Sequence, residues 1–76
     1  MSDRLDLIAD DLDYVEEHNI LTDYQRKVLH DFEMLMIAAE LDNKAALFNI
    51  FRYRMACYLQ NEGLKFRGLS KNYIKK

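Results

Sequence analysis

Residues 32–59, FEMLMIAAELDNKAALFNIFRYRMACYL, constrain this chain more than any other stretch. They hold three of the four Phe and every Met after Met1. The stretch is too apolar for two ordinary surface helices. Charges also interrupt it too often for a membrane span, which takes about 20 predominantly apolar residues. A helix advances about 100° per residue, so spacing alone assigns side chains to faces. Before the pair Asp42-Asn43, the residues Tyr24, Val28, Phe32, Leu35 and Ala39 form one stripe, widened by Leu29 and Met36. Met34, Ile37 and Leu41 form a second stripe on a side that carries Arg26, Lys27 and His30 earlier in the same arm. After the pair, Leu47, Phe48, Phe51, Met55, Tyr58 and Leu59 make one broad face, and Ala46, Ile50, Tyr53 and Cys57 make another. A helix that is apolar nearly all round is buried or faces a partner.

Asp42-Asn43 offers neither Gly nor Pro. Two readings stand there: one long helix from about residue 23 to 61, or a break at which Asp or Asn caps the helix that follows. The break is the favoured reading. Other punctuation is firmer. Ser2 and Asp3 are candidate caps for a first helix, in which Leu5, Ile8, Leu12 and Val15 form a narrow seam. That helix is expected to end near His18-Asn19, with Asn in the left-handed conformation. Thr22 and Gln25 have the spacing of a capping box. Asn61-Glu62-Gly63-Leu64 reads as a glycine C-cap with an apolar residue folding back. The chain lacks Pro and has Gly only at 63 and 68. The fold class expected is therefore all-α: a small three-helix bundle or helical hairpin with helices near 3–18, 23–41 and 44–62. Residues 1–64 make a single helical domain, and residues 65–76 a basic tail.

A chain of 76 residues buries only about 60% of its unfolded surface and needs a staple. Cys57 is the only cysteine, so no intrachain disulfide can form. A thiol within an apolar stripe suits a reducing compartment, and residues 1–17 lack the apolar core of a secretory signal, so a cytoplasmic location is expected. Association is the staple that remains. Three short helices cannot cover two apolar faces on both the second and the third. The surplus, Met34, Ile37, Leu41, Ala46, Ile50, Tyr53 and Cys57, is the expected interface of a homodimer.

The formal charge of −2 conceals a strong asymmetry. Residues 1–43 carry twelve acids and three bases, a net of −9, while residues 44–76 carry eight bases and one acid, a net of +7. Such a division implies pairing between the halves or two surfaces of opposite sign. Asp3, Asp6, Asp10, Asp13 and Glu17 form a ribbon opposite the seam of the first helix. Its plainest reading is a solvated face. The absence of any Lys there points further, to docking on a basic partner, because surfaces usually intersperse signs.

Catalytic constellations are lacking. His18 and His30 have no partner histidine one helical turn away. His30 and Glu33 share a side, as an ordinary surface contact would. Asp11-Leu12-Asp13 opens like a calcium loop, but Glu16 replaces its Gly and Thr22 its closing Glu. No metal, cofactor or small-molecule substrate is expected, and no enzyme activity. Arg54 falls between the two apolar faces of the third helix. It is expected either to bury its stem and free its head, or to pair with Glu33 or Glu40. The function expected is that of a non-enzymatic protein–protein interaction module: a regulator, inhibitor or adaptor. The alternative is a nucleic-acid-binding regulator with a helix-turn-helix at Asp42-Asn43. Its contacts would be Lys44, Asn49 and Arg52 on the third helix and Lys65, Arg67 and Lys71 in the tail, although an acidic first helix opposes it.

Overall fold

The computed structural model describes residues 3–67; Ser2, Lys71 and the rest of the tail beyond Arg67 lie outside the described residues. The described residues fold into three helices, α1 (Asp3–His18), α2 (Asp23–Leu41) and α3 (Ala45–Asn61), and contain no strand. Their directions follow from contacts near their ends. Gln25, in the first turn of α2, donates to Glu62 just past α3 (3.0 Å), and Phe32 meets Tyr58 with ring centroids 6.4 Å apart. So α2 and α3 run antiparallel along their whole length. Helices of a helix-turn-helix instead cross at about 90–120°. At the other end of the bundle, Arg4 bonds Glu40 (3.2 Å) and lies over the Phe48 ring. α1 therefore starts beside the α2–α3 turn and runs parallel to α3.

The core fills the space between α1 and the hairpin. α1 contributes Ile8, Leu12 and Val15, and Leu5 packs at its margin, as the seam predicts. Leu29, Met36 and Ala39 enter from α2, and Phe48, Met55, Ala56 and Leu59 from α3. The α2 stripe read as continuous is split by the structure: Phe32 and Ala39 turn inward, while Tyr24 and Leu35 stay exposed. The shortest dimension of the Cα trace is 18 Å. That accommodates two layers of helices packed about 8–10 Å apart and not three. α1 thus covers one side of the hairpin only.

Both helices of the hairpin end in the same way. Asn43 adopts φ 57°, its N–H donates to Glu40 O, and Lys44 N–H donates to Ala39 O (2.9 Å). Gly63 adopts φ 70°, donates to Gln60 O, and Leu64 N–H donates to Leu59 O (2.9 Å). Each is a Schellman turn, in which a residue in the left-handed region folds the chain back over the last carbonyls. Leu64 then packs on the core, as expected. The break at Asp42-Asn43 is real, but its mechanism differs from the one expected. The pair closes α2; the cap position of α3 is Lys44, with no side-chain cap bond.

The Thr22 capping box forms in both directions: Gln25 N–H donates to Thr22 Oγ1 (3.0 Å), and Thr22 N–H donates to Gln25 Oε1 (2.9 Å). The end of α1 departs from expectation. Asn19 is not left-handed. Its side-chain amide instead donates to Val15 O (2.8 Å) and Lys65 O (3.0 Å), while Lys65 N–H donates to Asn19 Oδ1 (2.9 Å). A residue expected only to stop a helix also pins the segment after α3 against α1. Phe66 packs on the core beside it.

Candidate functional site

The polar groups inside the bundle decide which charges are left for partners. Asp11 and Arg52 are 4% and 5% exposed. Arg52 Nη2 and Nε donate to Asp11 Oδ2 at 2.8 and 3.3 Å. A buried charge must be paired and hydrogen-bonded, and each of these groups meets that need for the other. This corrects two expectations. Arg52 is not a nucleic-acid contact, since its guanidinium is held inside the bundle. The arginine that had to find shelter is Arg52 and not Arg54, which is exposed, and Glu40 is engaged by Arg4. Asp11 was missed because it lies at the edge of the acidic ribbon and at the border of the α1 seam. Only its place opposite α3 distinguishes it from its neighbours.

Of the acidic ribbon, Asp6, Asp10, Asp13 and Glu17 are exposed, and Asp3 opens α1. Lys44, Asn49, Lys65 and Arg67 are exposed as well, with Lys44 Nζ 3.5 Å from Asp42. His30 and Glu33 make the expected surface contact at 3.5 Å. Among the described residues, no three His, Cys, Asp or Glu side chains gather as a metal site would require, and no helix is long and apolar enough to cross a membrane.

The apolar surplus remains outside the core. Met34 (45% exposed), Leu41 (72%), Ile50 (48%), Ala46 and Tyr53 are all open, whereas Cys57 is half-buried and Ile37 packs against the core. These residues do not share one face. On α2, the edge bearing Phe32 faces α3 and the edge bearing Glu40 faces α1. Stepping by about 100° per residue puts Met34 and Leu41 beyond the Glu40 edge, on the flank next to α1. On α3, Arg52 faces α1 and Tyr58 faces α2. Ile50 and Cys57 lie on the side turned away from α1.

That side of the hairpin carries two heptad-like seams. On α2 the seam is Tyr24, Val28, Asp31, Leu35 and Ala38, at spacings of 4, 3, 4 and 3. On α3 it is Leu47, Ile50, Arg54, Cys57 and Asn61, at spacings of 3, 4, 3 and 4. None of these residues is buried. Spacing of this kind is what one helix presents to another in a coiled-coil interface. Beside the seams, the Tyr58 hydroxyl is shielded and has no hydrogen-bond partner among the described residues. Its loss of hydration, with the nearby Glu62 and Tyr24, raises its pKa above the ordinary 10.0. Tyr53 is also raised, chiefly by its hydrogen bond to Cys57 one turn on. The chain matches no protein-family model, no curated protein and no solved structure.

Proposed function

We propose that this chain is a non-enzymatic helical interaction module, a regulator, inhibitor or adaptor that works by docking helix faces on other protein chains. The observation that supports this reading is the open hairpin face. Leu35 is 44% exposed, and with Leu47 and Ile50 it forms an apolar surface that α1 leaves uncovered. Contiguous exposed apolar surface of this kind marks interaction sites. The acidic side of α1 adds a second, polar surface of single sign. Asp6, Asp10, Asp13 and Glu17 are exposed there without an interspersed base, which suits a basic protein surface and speeds its approach.

The test is affinity capture with the whole chain, run beside Ile50→Asp and beside an Asp10→Lys, Asp13→Lys variant. The expected result is a protein partner, released by salt, that one or both variants fail to retain. Recovery of nucleic acid in place of a protein, or the same captured proteins with all three chains, overturns the reading.

A further inference from the structure

We infer that a second copy of this chain covers the hairpin face opposite α1, and that each subunit's α2 lies antiparallel on α3 of the other. The inference rests on the proposed interaction module and supplies its first partner.

The two seams carry it. Read antiparallel, the 4-3-4-3 spacing on α2 and the 3-4-3-4 spacing on α3 coincide at every position. Leu35 falls opposite Ile50, Asp31 opposite Arg54, and Val28 opposite Cys57. Within one subunit these pairs cannot close over each other, because α2 and α3 already meet along the edge of Phe32, Tyr58, Gln25 and Glu62, and both seams point the same way. A two-fold axis parallel to the helices solves this. It carries α2 of one subunit over α3 of the other and preserves distance from the turn. Asp31 stands eleven residues before Asp42, and Arg54 ten residues after Lys44. They therefore share a level of the hairpin, and the axis brings each to the other's partner copy. At the centre of the product the four hairpin helices form a bundle in which each α2 and α3 is antiparallel to its α3 and α2 neighbours.

Charge selects this arrangement over its competitor. Asp31 and Arg54 are the only charged residues in the two seams, they are of opposite sign, and both are exposed. The symmetry makes their ion pair twice. The other two-fold lays α2 on α2, and in full overlap it brings Asp31 toward Asp31 and Arg54 toward Arg54. One polar position in an apolar seam is a known way to fix register and orientation. The flank bearing Met34 and Leu41 lies next to α1 and is not paired with a matching seam on α3.

The test uses two full-length variants, Asp31→Arg and Arg54→Asp, purified separately and then mixed. Sedimentation of the wild-type chain at tens of micromolar is expected to show a dimer. Each variant alone is expected to dimerise roughly tenfold more weakly, since two like-charge contacts replace two ion pairs. Mixed in equal amounts they are expected to regain wild-type affinity, with a heterodimer seen by native mass spectrometry. A pair made within one subunit cannot be rescued by mixing. Ile50→Asp is expected to weaken dimerisation on the order of a hundredfold, and Met34→Asp to leave it unchanged. Circular dichroism establishes that each variant stays helical. A folded wild-type monomer overturns this inference, while the docking of other chains stands or falls by the capture experiment. A wild-type dimer insensitive to Ile50→Asp, or variants that mixing does not rescue, overturns this pairing alone.

Discussion

At the scale of single residues, the bundle depends on one carboxylate and one guanidinium. Asp11→Ala leaves Arg52 charged and unpaired in the interior, at a cost of about 3–5 kcal/mol. A domain whose whole stability is about 5–15 kcal/mol loses much of it. Urea denaturation is expected to show a large drop in midpoint for Asp11→Ala. Asp11→Leu combined with Arg52→Met is expected to recover most of the loss, because apolar replacements of similar volume fill the site without a buried charge. Tyr58 makes a smaller, opposite case. Its shielded hydroxyl lacks a partner among the described residues, so Tyr58→Phe is expected to raise stability by up to about 1 kcal/mol in thermal melts. The raised pKa of Tyr58 also has a pH signature. Stability tied to its neutral form is fully present below pH 10.0, the ordinary value, and declines as pH rises through the folded-state value. Tyr58→Phe is expected to flatten that alkaline decline. The identity of the buried arginine could not be read from the chain. Arg52 and Arg54 both adjoin apolar faces of α3, and the choice between them is made by Asp11, which is 41 residues away in sequence.

Elements were more legible than residues, wherever the signal is local. The Thr22–Gln25 box, the Gly63-Leu64 stop and the α1 seam each depend on side chains within a turn or two, and each forms as its spacing predicts. Asn19 depends on Lys65, 46 residues away in sequence, so its clamp had no local signature. The α2–α3 turn lies between these cases: the stop was legible, and its mechanism was not, because Asn serves as readily in a left-handed closure as in an N-cap. That turn gives a direct test. At φ 57° a side chain bearing Cβ is strained, and Asn tolerates the strain better than most residues. Asn43→Gly is expected to stabilise the hairpin by about 0.5–1 kcal/mol, and Asn43→Val to destabilise it by about 1–2 kcal/mol, in chemical denaturation. The position of the apolar surplus was legible on α3 and less so on α2. Faces on α2 are defined by where α1 and α3 attach, and the spacing of its own residues does not say which apolar stripe they cover.

For the whole molecule, two helix layers leave the broad face of the hairpin bare. If a second copy covers it, folding and association are linked, and the melting temperature is expected to rise with protein concentration. Thermal scans over a hundredfold range of concentration measure this; a melting temperature that does not move means that the folded chain is not stabilised by its own kind. The Asp11–Arg52 bond has a consequence of another sort, for the order in which the molecule is made. α1 leaves the ribosome before α3, yet the cation that holds it in place, Arg52, belongs to α3. The earlier of the two helices is thus the one that must wait, and a nascent chain halted before Arg52 has an α1 with nowhere to settle.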